Sequence, residues 1–440
     1  MKTLLASFLA LITLAWGWDT FYVTPPAQGA LLWLIRQQAL FLSGLWSIAL
    51  MSLVMVLAVR PAWLEKPLGG MDRMYRLHKW AGILAISFAI MHWLLDMSSD
   101  LLKALIGKAG RPPKFDLAGL AELGRPLAKD MGEWIIYALI AMLLITLWKR
   151  FPYKFWRYLH RVMPVAYLGL AFHAVVLAPP WYWSQPIGML LAVCLAAGTV
   201  ASIVTLAGLI GKNRRVHGSI TSIARPSATI TEITCKLGST WPGHRAGQFA
   251  FVTFDRAEGA HPFTIASADQ HDGMVTFQIK ALGDYTTHLA DTLVTGQALT
   301  VEGPYGYFDF TRSDSQARQI WIAGGIGITP FLAWLESLQS EPADKHAADL
   351  HYFVRDAGAD PFIDQLQSLC NSLPNITLHV HGNDRNNPVA DAALFNTGIS
   401  QDHSEVWFCG PGGLGDMLKK RFTNEWQGRF TFHQEAFEMR

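Results

Sequence analysis

Residues 78–92 read HKWAGILAISFAIMH, an apolar run with an imidazole at each end. Alanine, isoleucine, leucine and phenylalanine fill the interior, as in a helix that crosses lipid. Titratable side chains are costly in that setting and usually functional. Over the 14 positions from His78 to His92 a helix rises about 21 Å and returns to nearly the same face. The stretch therefore predicts two polar stations on one helix face, one in each leaflet.

Around this stretch the chain divides. Of 440 residues, 51% are hydrophobic and 16% charged, against roughly 25% charged in soluble domains. Six apolar segments can be drawn, at about 4–18, 38–59, 80–97, 133–149, 162–178 and 187–210. Several approach the ~20 residues that span a ~30 Å hydrocarbon core. GKNRRVHG (211–218) marks the change to a soluble composition. A net charge of +2 gives no footing for nucleic-acid binding. Cys194, Cys235, Cys370 and Cys409 are widely spaced, with no zinc pattern or disulfide framework.

Basic residues set the orientation. Arg60, Lys66, Arg73, Arg76 and Lys79 lie between segments two and three. Lys149, Arg150, Lys154, Arg157 and Arg161 lie between four and five, and Lys212, Arg214 and Arg215 follow six. Short basic connections face the cytoplasm, so the soluble half is expected there. The connection from Asp96 to Glu133 carries six basic and six acidic residues and is expected outside. The first segment, with Lys2 and Ala15-Trp16-Gly17, also has features of a signal peptide. Its removal would leave the other five segments oriented as before.

Of 15 histidines, four precede Arg215: His78 and His92 on the third segment, His160 and His173 at the fifth. Both segments run from inside to outside. His78 and His160 therefore share the inner leaflet, and His92 and His173 the outer. A neutral imidazole can give its lone pair to a metal, and haem iron takes such axial ligands. The plain alternative is four interfacial or hydrogen-bonded histidines. Two matched pairs favour two haems. The 13 positions between His160 and His173 do not return to one helix face, which predicts a kink or altered turn near Pro164. Tyr167 stands midway in that pair and Ala85 midway in the other. Tyr167 either shapes the gap between the haems or is ordinary packing. Arg76, Lys79 and Arg157 either meet propionates or only obey the charge rule.

From Val216, SITSIA, ATITEITCKL, GQFAFVTF, MVTFQIKAL and QALTVEG read as antiparallel strands of a small barrel. QIWIAGGIGITPFLAWLESL (319–338) then reads as strand, glycine turn and helix. DLHYFVRDAGADPFIDQL repeats the pattern, and NITLHVHG, EVWFCGPGGLGDMLKKRF and RFTFHQ follow. Strand–helix alternation implies a parallel nucleotide-binding sheet. GGIGITP is not GxGxxG, yet glycine turns at helix starts admit a pyrophosphate. Thr286 in GDYTTHL marks a second helix start, as an ordinary N-cap would.

HPFTIAS (261–267), IKALGDYTTHL (279–289), GPYGYF (303–308), GGIGITP (324–330), FVRD (353–356) and FCGPGG (408–413) occur in order. With the paired histidines, this set resembles the ferric reductase and NADPH oxidase superfamily from about residue 30 onward. The soluble half resembles the ferredoxin-NADP reductase fold. The resemblance implies a six-helix haem-binding bundle (1–211), an antiparallel β-barrel FAD domain (212–312) and an α/β parallel-sheet NAD(P)-binding domain (313–440). It implies that His261, Pro262, Phe263, Thr264 and Ser267 hold the flavin, and that Lys280, Gly283 and Thr286 meet the FAD phosphates. Gly325, Gly327, Thr329, Pro330, Gly410 and Pro411 would face the nicotinamide dinucleotide. Arg355 would reach a 2′-phosphate, favouring NADPH over NADH, or meet ribose alone. Cys409 would lie near the nicotinamide, unless it is only small core filling, and Phe437 would stack on the flavin.

The implied activity carries electrons from NAD(P)H through FAD and two b-type haems, ligated by His78, His160, His92 and His173, to an outside acceptor. That acceptor is O2, a ferric chelate or a periplasmic protein, the last docking on the 98–131 connection. Arg36 resembles an arginine near the outer haem of superoxide-forming relatives, or is a snorkelling interfacial residue. The expected setting is the bacterial inner membrane. No EF-hand loop or long regulatory insertion is evident, which implies constitutive activity. A haem protein with a degenerate reductase half and a transporter are readings from other classes. Intact motifs speak against the first, and the lack of Gly/Pro-interrupted repeats against the second.

Overall fold

The computed structural model describes residues 2–23, 29–113, 115, 120–148, 150–312, 314, 317–340, 346–382, 403–426 and 428–435. The chain divides into two compact units, Met1–Leu68 with Arg73–Ile210, and Gly69–Asp72 with Gly211–Arg440.

The first unit is helical: α1 Lys2–Trp18, α2 Leu31–Ala58, α3 Ala62–Leu68, α4 Met71–Ile106, α5 Leu120–Leu147, α6 Tyr153–His160, α7 Met163–Leu177 and α8 Pro186–Leu206. Among the described residues, six spans are long and apolar enough to cross a membrane: Lys2–Val23, Leu31–Ala58, Met71–Ile106, Glu122–Leu147, Phe155–Leu177 and Pro186–Leu206. Helix α2 packs on α8, and α5 on α7. Several hydroxyls within the spans bond back to their own helix. Ser52 Oγ donates to Ile48 O at 2.8 Å, Thr146 Oγ1 to Met142 O at 2.7 Å and Ser202 Oγ to Gly198 O at 2.8 Å. This satisfies hydroxyls where no water is at hand.

Two expectations about these helices are tested. The apolar segment at 80–97 is only the middle of α4, whose 36 residues run for about 54 Å. Polar residues at both ends extend the helix beyond the apolar run, because helix formation needs neither apolar side chains nor lipid. Much of the stretch expected as a connection is therefore helix. The break foreseen near Pro164 is present: α6 ends at His160, Arg161 and Val162 form a turn, and α7 begins at Met163. Proline lacks an N–H to give residue 160 and is at home in a first helical turn. Val162 N donates to Leu159 O and Val165 N to Val162 O. These i→i−3 steps wind more tightly than an α-helix, the direction needed to bring 13 residues back to one face.

In the second unit, β1 Arg215–Ser227, β2 Ile230–Leu237, β3 Phe249–Thr253, β4 His261–Thr264, β5 Met274–Lys280 and β6 Ala298–Tyr305 form one antiparallel sheet. Their order is β4-β3-β6-β1-β2-β5, and an Ile265–Phe277 bridge joins the two ends into a barrel. The alternating inward residues Ile220, Ile233, Cys235, Val252, Val275, Phe277 and Val301 fill it. Helix α9, Asp284–Thr292, follows β5. Strands β7 Arg318–Gly324, β8 Ala348–Phe353, β9 Ile376–His381, β10 Ser404–Cys409 and β11 Phe430–Glu435 form a parallel sheet, ordered β11-β10-β7-β8-β9. Helices α10 Thr329–Leu338, α11 Ile363–Asn371 and α12 Gly412–Glu425 cover it. Alternation along β7 sends Trp321 and Ala323 to the core shared with α10, and Ile320 and Ile322 to the core shared with α12. The multi-domain architecture expected from sequence is the one observed. HPFT, singled out as a binding motif, is also strand β4.

Candidate functional site

The four histidines meet in two pairs. Ring centres of His78 and His160 are 6.0 Å apart with planes at 71°, and those of His92 and His173 are 6.3 Å apart at 79°. Two imidazoles holding one ion from opposite sides at about 2 Å each place their ring centres at roughly this separation. The second nitrogen of each ring adds to the case. His78 Nδ1 lies 3.1 Å from Val54 O, His92 Nδ1 2.9 Å from Leu40 O and His173 Nδ1 2.8 Å from Ala128 O. A carbonyl only accepts, so each Nδ1 carries the proton and each Nε2 keeps its lone pair. This is the tautomer of a metal-ligating histidine with its supporting partner. His160 differs: its Nδ1 is buried without a partner among the described residues, and its ring stacks on Trp156 at 4.9 Å and 17°.

Glycines make room for the outer rings. A Cβ at Gly132 would fall 2.5 Å from His173 Nδ1, and one at Gly44 3.0 Å from His92 Nδ1. Each glycine stands four residues after the carbonyl that its histidine bonds, Ala128 or Leu40, so the missing side chain opens the groove to that carbonyl. The sequence reading missed both glycines.

Tyr167 is buried, within 2.8 Å of Ser52 Oγ, and a Cβ at Gly198 would fall 2.1 Å from its hydroxyl. Ala85 is buried and its carbonyl accepts from Ser47 at 3.0 Å. Arg157, three residues before His160, has a buried Nε without a hydrogen-bond partner among the described residues. That is an orphan donor of the kind a carboxylate would satisfy. Arg76 and Lys79 are exposed. Arg36 donates to Asp96 O at 2.7 Å and to Ser98 Oγ at 3.2 Å. It is thus fixed to α4 one turn past His92 rather than reaching freely for an interface.

In the barrel, His261 stacks on Tyr285 at 4.4 Å and Phe263 lies beyond it at 6.4 Å. The Tyr285 hydroxyl is buried without a partner among the described residues. Burial, then the charges of Asp255 and Glu258, push its pKa up to about 12, so it remains a donor. Thr264 is buried on β4, and Pro262 pairs with Phe251. Ser267 is tied into the sheet, its Oγ accepting from Thr276 N at 3.1 Å. Thr286 Oγ1 accepts from the amides of Leu282 and Gly283 at 2.9 and 3.1 Å. It caps its own turn, and the space beside Gly283 is open.

The parallel sheet brings the remaining residues to one edge. In the order β10-β7-β8, the chain leaves β7 in opposite directions, so the crevice past the ends of β7 and β10 is the switch point where such sheets bind ligands. Gly325 (φ +55°) makes the left-handed turn there. A Cβ at Gly327 would fall 2.2 Å from Cys409 O, and one at Gly324 2.9 Å from Pro411 Cδ. One at Gly410 would lie 3.0 Å from Gly324 N, and one at Gly325 3.9 Å from Lys280 Nζ. Thr329 and Pro330 are buried in the first turn of α10, where Thr329 Oγ1 donates to Ile326 O at 3.1 Å. The motifs therefore converge through backbone. Arg355 is exposed just after β8. Burial and then the Glu435 charge hold the Cys409 thiol well above its usual range, so it is neutral. Glu435, directly across from Cys409 on β11, was not foreseen. Phe437 lies outside the described residues.

The comparisons agree in type. Residues 43–171 match the family described as ferric reductase like transmembrane component, and residues 228–309 match an FAD-binding domain. The phenol hydroxylase P5 protein of Acinetobacter pittii (strain PHEA-2) is 39% identical over 87 residues, 19% of this chain and 24% of its own. NADPH oxidase 3 of Homo sapiens is 34% identical over 126 residues, 25% of this chain and 22% of its own. This chain thus spans about a quarter of the length of these two relatives. A crystal structure of a ferredoxin NADP+ reductase from Neisseria gonorrhoeae with bound FAD and NADP is 14% identical with a TM-score of 0.44. It covers 50% of this chain and 98% of its own. An apolar six-span bundle carrying the first match and a barrel carrying the second make the chain an integral membrane protein with a ferric reductase like transmembrane component and an FAD-binding domain.

Proposed function

We propose that this protein is a transmembrane oxidoreductase that takes electrons from cytoplasmic NAD(P)H and delivers them, one at a time, to a small acceptor outside, O2 or a ferric chelate. The observation that carries this reading is the pairing of the four membrane histidines, three with Nδ1 committed to a backbone carbonyl. His78 with His160 and His92 with His173 would each hold one haem b, and the match to an FAD-binding domain supplies the flavin. Bound flavin converts the two-electron hydride of the nicotinamide into the single electrons that haem accepts.

The chain's own groups bind, orient and separate. Residues 1–211 form the haem bundle, 212–312 the FAD domain and 313–440 the NAD(P) domain. Amides at the start of α9, with Lys280, receive the FAD phosphates. His261 and Tyr285 form a flat wall against which a ring can lie. The Gly325–Gly327 turn admits the dinucleotide beside Cys409, whose neutral thiol can donate a hydrogen bond but is not a nucleophile at physiological pH. Arg355, exposed after β8, is free to meet a 2′-phosphate and favours NADPH. With two imidazoles committed to each iron, a substrate would find no metal site to bind, and the acceptor would be reduced without ligating iron. The basic connections favour a cytoplasmic soluble unit, and the inner membrane of a bacterium is the setting that fits.

The test is NADPH oxidation by purified protein with O2 or a ferric chelate as sole acceptor, and superoxide dismutase as control. Reduced b-type absorption on adding NADPH and FAD anaerobically is expected. Protein without haem, or haem that stays oxidised, would overturn the proposal. Turnover that appears only on adding a periplasmic extract would replace the small acceptor with a protein.

A further inference from the structure

The four histidines are not equivalent. His92 and His173, at the outer station, both donate Nδ1–H to a backbone carbonyl, at 2.9 and 2.8 Å. At the inner station His78 does so at 3.1 Å, while His160 Nδ1 is buried with no partner among the described residues. His160 is the last residue of α6, at the break before Met163. Its ring is held by a face-on stack with Trp156 on its own helix, 4.9 Å away at 17°. Trp156 is in turn anchored to α5, its Nε1–H donating to Thr146 Oγ1 at 2.9 Å, and Thr146 donates to Met142 O at 2.7 Å. Helix α5 thus supports both histidines of the α6–α7 span, His173 directly through Ala128 O and His160 indirectly, through Thr146 and Trp156.

We propose that Trp156, fixed by Thr146, is the positioning residue for His160, and that the inner centre therefore has the weaker axial ligand and the higher reduction potential. The inference rests on the reading of the histidines as haem ligands. An Nδ1–H that donates to a carbonyl makes Nε2 a stronger donor. A stronger donor favours the more positive, ferric iron and lowers the potential, one of the ways a protein tunes haem. The outer centre has two such ligands and the inner centre one. The stack fixes the orientation of the His160 ring but adds no negative charge to it, so it replaces the geometry of the missing hydrogen bond and not its electronic effect.

The experiment is an anaerobic potentiometric titration of the haem-loaded protein, followed by absorption. Two waves are expected in the wild type. His92→Ala, which removes the outer centre, is expected to leave the higher wave. Trp156→Leu is expected to render the inner centre partly high-spin and to speed its binding of carbon monoxide about tenfold, the scale of supporting-partner losses. Trp156→Phe, which keeps an aromatic face, restores the low-spin spectrum. Thr146→Val, a smaller change, gives the same shift in milder form and serves if Trp156→Leu does not fold. Survival of the lower wave in His92→Ala overturns the order of potentials. A wild-type spectrum and carbon monoxide rate in both Trp156→Leu and Thr146→Val overturns the positioning role. Wild-type protein that contains no haem overturns instead the reading beneath both.

Discussion

On the proposed function, the helical unit and the parallel sheet carry their chemistry on opposite kinds of group. In the bundle it sits on side chains, four imidazoles among apolar neighbours. At the sheet edge it sits on the absence of side chains, at Gly325, Gly327 and Gly410, where backbone meets backbone. The bundle should therefore fail on losing a side chain and the sheet edge on gaining one. The largest expected effect is on the bundle's side of this contrast. His92→Ala should halve the haem content and abolish reduction of the outside acceptor, while NADPH still reduces the flavin. Haem per chain and anaerobic flavin bleaching measure the two halves, and full acceptor turnover in this variant would break the comparison at its root.

The bundle also holds an exception that sharpens the rule. Gly132 and Gly44 act as empty space beside histidines, as the sheet glycines do beside backbone. At Gly132 a methyl would meet His173 Nδ1 at 2.5 Å, against 3.0 Å for Gly44 and His92. His173 is tied to Ala128 O at 2.8 Å and cannot yield without losing that bond. Gly132→Ala is therefore expected to displace the outer ligand, seen as a high-spin fraction in the spectrum, and Gly44→Ala to do so less. Equal, unperturbed spectra for both would mean that the outer rings are not held against α2 and α5.

At the sheet edge the matching substitution is Gly327→Ala. The methyl would lie 2.2 Å from the Cys409 carbonyl oxygen, a backbone atom in a parallel strand with nowhere to retreat. Overpacking of this kind costs about 1–3 kcal/mol, and here it would open the crevice between β7 and β10. Stopped-flow flavin reduction by NADPH should slow about tenfold, with haem content unchanged. A variant that loses haem but keeps its hydride rate would reverse the contrast.

The same contrast explains what the sequence could disclose. His78, His92, His160 and His173 were legible because an imidazole in an apolar run stands out in composition. The break near Pro164 was legible because 13 residues do not close on a helix face. The carbonyls of Leu40, Val54 and Ala128 were not, since every residue has a carbonyl and only packing selects three of them. Gly44 and Gly132 read as ordinary small membrane residues until the rings beside them were placed. In the sheet, GGIGITP and FCGPGG were legible as separate motifs, but their meeting at Gly327 and Cys409 comes from the order of the strands. Glu435 was hidden for the same reason: only the β10–β11 register sets it opposite Cys409. The full length of α4 was missed because its ends are polar, and hydropathy locates the part in lipid rather than the part in helix.

The smallest expected effect tests whether every buried polar side chain in the bundle is as decisive as the histidines. Tyr167 OH and Ser52 Oγ are 2.8 Å apart, and Ser52 already spends its one proton on Ile48 O. The tyrosine is then the donor of the pair, its single proton shared with Leu195 O at 3.4 Å. In Tyr167→Phe the ring stays against Gly198, and Ser52 keeps its bond to Ile48, so no buried donor is orphaned. The loss is one neutral hydrogen bond, about 1 kcal/mol, or roughly 2–4 °C in melting temperature for a unit of this size. Haem spectra and electron transfer to the outer centre should remain those of the wild type. A large fall in the rate between the two haems, with the melting point barely moved, would instead give the Tyr167 hydroxyl a part in the electron path and add a fifth side chain to the bundle's chemistry.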